Sequence, residues 1–147
     1  MADRVPHYPA KEGAPYATMV SAVDSDGNEV AGIRLPDAGV PLDTHTGWTM
    51  RHPDAGGAGH FMPLEGAVVP FARTQEEREA ADDHRPSIAE RYASTEGYLA
   101  RVRRAAEDLA RERYILDEDV DRIVSGAGER WDAFHSVGQQ AEEVARV

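Results

Sequence analysis

The uneven distribution of proline and glycine constrains the fold of this chain more than any other feature. Eight of the nine prolines and nine of the thirteen glycines lie before residue 74. Proline fixes φ and removes a backbone donor, and glycine weakens regular structure, so the front cannot form long elements. The back is rich in Ala, Glu and Arg, which favour helices. The sequence therefore predicts an α+β fold whose two parts meet near Arg73.

The front is predicted to contain one β-hairpin followed by a long irregular loop. Residues 17–23 and 29–35 carry weakly alternating apolar residues, and a cluster of turn formers at 24–28 lies between them. Five prolines interrupt any periodicity in residues 36–70. Because loops of this length are uncommon in compact domains, we expect this one to cover a partner or another part of a longer protein.

Capping signals mark where the helices of the back begin. Thr74 with Glu77, and Ser87 with Glu90, have the spacing of capping boxes, so each pair is expected to start a short helix. Ser94 is placed to cap a longer helix. The C-terminal half is therefore predicted to be mostly helical.

Two apolar stripes at helical spacing predict a helical hairpin in this half. The stripes span residues 98–109 and 120–137, and residues 114–116 connect them. Asp117 is expected to cap the second helix, and Gly126 and Gly128 are expected to interrupt it. Two core helices packed on each other would account for everything seen in this part.

Large apolar residues are scarce, which bounds the size of the core. Leu, Ile, Val and Phe make up about 18% of the chain, whereas 23 residues are alanine. A buried methyl group removes far less apolar area from water than a buried leucine, so the autonomous stability is expected to be marginal. Residues 1–147 are predicted to form a single domain or a domain fragment. Its expected divisions are a flexible N-terminus (1–13), the hairpin and irregular loop (14–73), the helical part (74–138) and a polar tail (139–147).

The charge balance bounds the partners of the chain. Asp and Glu number 27 against 16 Lys and Arg, for a net charge of -11. Nucleic acids and anionic membranes attract clustered cations, so neither is expected as a partner. The sequence shows no signal-peptide pattern in residues 1–11 and no apolar stretch long enough to span a bilayer, so a cytoplasmic location is predicted.

Three histidines in the front are candidates for a metal site. His45, His52 and His60 could hold a zinc ion with an open fourth position. Their spacing, however, matches no ligand pattern such as H-E-x-x-H. Solvated loop histidines explain the same residues better, so no metal or other cofactor is predicted.

Trp48, Arg51 and His52 form a candidate contact with a protein partner. Tryptophan and arginine are enriched among the residues that dominate binding energies, and these three lie in an irregular segment. Anchoring of Trp48 to the core would explain this residue equally well.

Several runs of the chain, in their order and spacing, are similar to one protein family. The runs are Val20-Ser21-Ala22-Val23-Asp24, Leu35-Pro36, Val40-Pro41-Leu42, Thr46-Gly47-Trp48, Val69-Pro70-Phe71-Ala72-Arg73-Thr74, Arg85-Pro86-Ser87-Ile88, Glu90-Arg91-Tyr92 and residues 116–124. They resemble the C-terminal portion of bacterial alpha/beta hydrolase domain-containing proteins over about residues 14–134. The resemblance implies a serine hydrolase acting on esters or related acyl compounds, with its nucleophile and histidine base upstream of this stretch. No serine here lies in G-x-S-x-G, so no catalytic residue is assigned.

The favoured function is a non-catalytic C-terminal accessory segment of an alpha/beta serine hydrolase, with the hydrolase catalytic portion as its partner. A small acidic protein-interaction module is the alternative, and a loop-built metal-binding protein is the third hypothesis. The sequence indicates neither a substrate nor an oligomeric state.

Overall fold

A computed structural model of the protein describes residue 13, residues 19–62 and residues 64–145, with side chains up to residue 136. Except for Gly13, the predicted N-terminal segment 1–13 lies outside the described residues. An antiparallel strand pair precedes a mostly helical C-terminal half, which confirms the α+β class. The elements are α1 (Pro36–Gly39), β1 (Asp43–Thr46), a 3-10 turn (Pro53–Ala55), β2 (Ala67–Pro70), α2 (Gln75–Ala80), α3 (Ile88–Arg91), α4 (Thr95–Arg111), a second 3-10 turn (Asp117–Asp119) and α5 (Val120–Ala145).

The strand pair lies within the stretch that was expected to be irregular. Asp43 is opposite Pro70 and Thr46 is opposite Ala67, and an isolated bridge between residues 50 and 61 continues the antiparallel arrangement. Residues 43–70 thus form a long, interrupted hairpin. Each strand has only four residues and no alternating burial pattern, so the sequence carries no period that could reveal it.

The hairpin expected earlier in the chain is reduced to its turn and one bridge. Val23 pairs with Glu29, and the Asp24 carboxylate accepts hydrogen bonds from the N–H groups of Asp26 and Asn28, at 2.9 and 3.0 Å. These two bonds form the turn that an aspartate at this position favours.

Asn28 joins this turn to the sheet. Its side chain is fully buried, its Nδ2 donates to the carbonyl of Asp43 at 3.1 Å, and its Oδ1 accepts from the N–H of His45 at 2.8 Å. The carboxamide therefore takes the place of a third strand along the outer edge of β1. It satisfies two backbone groups that would otherwise lack a partner.

Two arginines hold the same region against α3. Arg91 forms a bidentate ion pair with Asp26, with Nη1 at 2.8 Å from Oδ2, and Arg85 Nη1 donates to Thr44 Oγ1 at 2.7 Å. Both guanidinium groups lie over the buried ring of Phe71, at 4.1 and 5.0 Å from its centroid. Turn, sheet and helix are thus connected around one aromatic side chain.

The helical hairpin predicted for the C-terminal half is present. Tyr98 on α4 stacks on Trp131 of α5 with ring centroids 5.0 Å apart, and Arg103 pairs with Asp121 at 2.8 Å, so the helices run antiparallel. Tyr92 adds edge-on contacts to the same two rings. The main core cluster comprises Leu42, Phe71, Ile88, Tyr92, Tyr98, Val102, Ala127 and Trp131.

Most helix starts follow the predicted caps. Ser87 and Glu90 form a complete capping box, and Ser94 caps α4. Thr74 caps α2 by accepting from the N–H of Glu77, which is one of the two hydrogen bonds of the predicted capping box. The Glu77 carboxylate accepts from the N–H of Arg73 at 2.8 Å, because the Arg73 guanidinium also pairs with it.

The expected interruption of α5 was wrong. The helix continues through Gly126 and Gly128, and Ala127 between them is fully buried in the core. Packing of this face outweighs the roughly 1 kcal/mol that each glycine costs in a helix. Asp117 does not cap α5, since it begins the 3-10 turn that leads into the helix.

Replacing Asn28 tests the connection between turn and sheet. We expect Asn28→Ala to lower the free energy of unfolding by about 2–4 kcal/mol, because a buried group without a partner costs about 1–3 kcal/mol. Urea unfolding followed by tryptophan fluorescence measures this. Ser25→Ala, an exposed position in the same turn, is the control and should stay within about 0.5 kcal/mol of wild type. Equal effects of the two changes would contradict this role of Asn28.

The ion pair between Asp83 and Arg85 makes a second, pH-dependent contribution. Hydrogen bonds from the Arg85 guanidinium lower the pKa of Asp83 to about 2. A lowered pKa stabilises the fold above the unfolded-state value near 4, and this contribution is lost as the pH falls toward 2. Asp83→Asn should therefore cost about 1–3 kcal/mol at pH 7, with the gap to wild type narrowing in urea unfolding between pH 5 and pH 3. A gap of constant size, or the same profile for the exposed control Glu112→Gln, would show that this ion pair is not the cause.

Candidate functional site

The front of the molecule leaves many large apolar side chains in contact with solvent. Within residues 19–35, five side chains are between 48% and 53% exposed and a sixth is 85% exposed. We call them the front apolar residues: Met19, Val20, Val23, Val30, Ile33 and Leu35. Val68 and Val69 of β2 are exposed as well. Exposed apolar residues that adjoin one another mark surfaces that contact another protein, and Ile33 and Leu35 line one pocket together.

Local structure explains why these residues stay exposed. The turn at 24–28 is attached to β1 through Asn28 and to α3 through the ion pair of Asp26 with Arg91. Arg34 Nη2 donates to Asp24 at 2.7 Å and to the carbonyl of Ala38 at 2.6 Å, which fixes the chain between turn and α1. Polar contacts thus hold the segment in place while its apolar side chains remain outside the core.

The residues of the predicted partner contact differ in their exposure. Trp48 is partly buried, and its ring packs against Phe61 across the hairpin with centroids 5.5 Å apart. Arg51 and His52 are exposed beyond it, and His52 Nδ1 lies 3.3 Å from the N–H of Asp54. Trp48 therefore joins the two limbs of the hairpin, and neither ring belongs to the core cluster to which the alternative explanation attached it. A partner contact by Arg51 and His52 stays a prediction.

The three histidines do not assemble into a metal site. His45 lies on β1, whereas His52 and His60 are exposed near the far end of the hairpin. Within the described part of the chain, no three His, Asp or Glu side chains are grouped as metal ligands would be. The three histidines cannot share one ion because His45 lies on β1, far along the hairpin from His52 and His60 at its tip.

Ionisable groups from four elements surround a small cavity of about 40 Å³ at the junction of front and back. His45 Nε2 lies 2.6 Å from Asp43 Oδ1, and Asp37 of α1 pairs with Arg130 of α5. We call this the junction cluster: Asp37, Asp43, His45, Tyr98 and Arg130. Sequence analysis missed it because its members come from distant segments. The one usable signal was the spacing of Asp43 and His45, which puts both on the same face of a strand.

Burial shifts the pKa values of two groups in the junction cluster. It raises the pKa of Asp43 above its ordinary value; His45 and Arg130 oppose the rise, whereas the Asp37 carboxylate adds to it. Burial also raises the pKa of Tyr98 to about 12, so this phenol stays protonated at neutral pH. Such perturbed groups occur at functional sites and also in structural ion-pair networks.

Comparison with known proteins identifies the family. The sequence profile described as alpha/beta hydrolase domain matches residues 3–125, which is most of the chain. The chain belongs to the alpha/beta hydrolase domain family. The resemblance drawn from the sequence runs is thereby confirmed. No curated protein and no solved structure matches the chain significantly.

Three serine side chains of this chain form hydrogen bonds that cap a helix or lie within one. Ser87 donates to the Glu90 carboxylate at 2.7 Å and caps α3, and Ser94 accepts from the N–H of Gly97 at 3.1 Å. Ser136 donates to the carbonyl one turn earlier at 2.9 Å.

In the described residues, no helix is both long and apolar enough to cross a membrane.

An apolar groove of about 480 Å³ lies between the sheet and α5 of this alpha/beta hydrolase domain chain. Its walls include Leu42, Pro70 and Phe71 from the sheet region and Ala133 and Phe134 from α5. Charged side chains that line it are themselves paired, such as Arg130 with Asp37. Apolar walls with paired charges favour contact with apolar groups over binding of a free ion.

Proposed function

We propose that the chain is a non-catalytic accessory segment of an alpha/beta serine hydrolase, which docks on the catalytic portion through its front apolar residues. Membership in the alpha/beta hydrolase domain family supports the relation to a hydrolase. The exposure of the front apolar residues is the observation that carries the proposal. A surface of this kind gains free energy when another protein covers it.

The exposed fractions of these side chains set an upper bound on that gain. Complete burial of a Val, Leu or Ile side chain from full exposure is worth about 1.5–3 kcal/mol. Five of the front apolar residues are about half exposed, so each could contribute about half of this amount. Part of the sum is spent on the lost freedom of association, which is why several residues must act together.

The net charge of the chain also bears on the charge expected at the docking face of its partner. The chain carries a net charge of -11. Complementary potentials speed association and suppress wrong partners. The docking face of the catalytic portion is therefore expected to be neutral or basic around an apolar centre.

The alternative, a small acidic protein-interaction module, is favoured by the helical half. Tyr92, Tyr98 and Trp131 form an aromatic core there, and α4 and α5 pack on each other. Such a core could support a binding surface without a hydrolase. The two functions differ in their partner: the accessory segment binds a hydrolase catalytic portion, whereas the interaction module binds an unrelated protein.

Replacing one front apolar residue tests the docking surface. In isothermal titration against a serine hydrolase catalytic portion of the same family, Ile33→Ser should weaken binding about tenfold, since the side chain loses its apolar burial. Leu116→Ser is the matched control, because Leu116 is similarly exposed but lies between α4 and α5. It should bind like wild type.

Three outcomes would contradict the proposal. Equal weakening by both substitutions would remove the front apolar residues as the docking surface. Hydrolysis of p-nitrophenyl acetate by the purified chain alone, at a rate that co-purifies with it over successive columns, would show that the chain is itself catalytic. Absence of binding to any such catalytic portion, together with tight binding to an unrelated protein, would favour the interaction module.

A further inference from the structure

We propose that the open edge of β2 pairs with the same edge of a second copy of this chain, so that two molecules share one antiparallel four-stranded sheet. The inference goes beyond the docking proposal, because it concerns the opposite edge of the sheet and a different partner. It rests on backbone groups of β2 that the fold leaves without hydrogen bonds.

The alternation of the strand ladder determines which backbone groups point away from β1. The N–H of Phe71 donates to the carbonyl of Leu42 at 3.1 Å, so these two residues form a hydrogen-bonded pair. In an antiparallel ladder such pairs alternate with pairs whose N–H and C=O groups point outward. Val68, opposite His45, belongs to an outward-pointing pair. The His45 N–H agrees with this assignment, since it donates outward to Asn28.

The open edge consists of Val68 and of Gly66, which lies two positions earlier on the same side. A Cβ at residue 66 would come within 2.2 Å of the Thr46 carbonyl oxygen, so only glycine lets the chain stay this close to β1. Val68 is 59% exposed, and Gly66 is exposed as well. Within the part of the chain that the structure describes, neither residue forms a backbone hydrogen bond. We call these two residues the β2 edge.

The neighbouring residues limit the β2 edge to this short stretch. Pro70 has no N–H, and its carbonyl accepts from Arg85 Nη2 at 3.3 Å. Leu64 has a left-handed backbone with φ of 61°, which turns the chain out of the extended conformation. The β2 edge therefore offers two N–H and two C=O groups. No charged side chain within Ala67–Pro70 protects it from pairing with another strand.

A second copy can satisfy all of these groups in one register. When two β2 strands run antiparallel with Ala67 facing Ala67 across a twofold axis, Gly66 of each copy is opposite Val68 of the other. Each of these two pairs can exchange two hydrogen bonds, so every outward group of both edges gains a partner. Each Val68 side chain then lies over a glycine, which leaves it room. One patch that serves both molecules is the usual basis of a twofold dimer.

The size and charge of the chain set how strong this association should be. A two-stranded sheet is marginally stable, and pairing extends it to four strands. The β2 edge is short, however, so we expect a weak dimer with an interface below about 1,000 Å². The net charge of -11 on each copy opposes association. Added salt screens this repulsion, so it should strengthen the dimer.

Sedimentation equilibrium of the full chain at increasing protein concentration tests the proposal. Val68→Pro removes an outward N–H from each copy and thereby two of the four hydrogen bonds, so dimerisation should weaken about tenfold. Proline is tolerated on an edge strand where the N–H faces solvent. Val68→Thr is the matched control, because it keeps both the branched shape and the N–H. Its dimerisation constant should stay within about twofold of wild type.

A disulfide tests the register even if Val68→Pro folds poorly. The chain contains no cysteine. In the proposed register the two Ala67 residues face each other as a non-hydrogen-bonded pair, with Cα atoms about 4.5 Å apart, which a disulfide can span. Under mild oxidation, Ala67→Cys should therefore form a covalent dimer about tenfold faster than Ala38→Cys. Ala38 is the control because it is likewise partly buried but lies on α1.

Three results would overturn the proposal. The first is a chain that stays monomeric at all concentrations, and the second is equal cross-linking of the two cysteine variants. The third is a monomeric chain in which Val68→Pro weakens binding to a hydrolase catalytic portion, since a strand of that portion would then occupy the β2 edge. Ile33→Ser should leave the dimer unchanged, so failure of the docking proposal can be distinguished from failure of this one.

Discussion

The contact of the 24–28 turn with its surroundings is the interaction on which the front of this protein depends. Asn28 completes the outer edge of β1, and Asp26 binds Arg91, whose guanidinium lies over Phe71. A two-stranded sheet is marginally stable by itself, so a buried amide and a charged clamp do what a third strand does elsewhere. The scarcity of large apolar residues makes this polar solution necessary. The core contains too few large aliphatic side chains to hold these short strands by packing alone.

The helical half could be predicted from the sequence, whereas the arrangement of the front could not. Residues 98–109 and the Ser87–Glu90 box carry local signals, because helix caps and helical stripes are defined within a few turns of chain. The pairing of Asp43 with Pro70 has no such signal, since each strand is only four residues long. Gly126 and Gly128 are the opposite case. Their local preference against helix was clear from the sequence, but packing around Ala127 outweighed it.

The candidate sites follow the same division. Trp48 was recognised as a residue of interest, but its contact with Phe61 depends on the register of the hairpin. The junction cluster joins residues as distant as Asp37 and Arg130, and no motif spacing could have indicated it. The family, in contrast, was evident from short runs in a fixed order. Together these facts describe a hydrolase-family chain whose front apolar residues and junction cluster both lie in or beside the front.

The long reach of the clamp has a consequence for the order of folding. Arg91 and Asp26 are 65 positions apart, whereas the antiparallel pair of α4 and α5 needs only a short connection. Contacts between distant positions form late, because the entropy of closing the intervening chain must be overcome first. The helical hairpin is thus expected to form early. The two strands are expected to pair later, once Arg91 of α3 is in place to bind Asp26. Until then, Leu42 and Phe71, which flank the strands and are buried in the folded protein, remain exposed, and this makes the interval the period of greatest risk of aggregation.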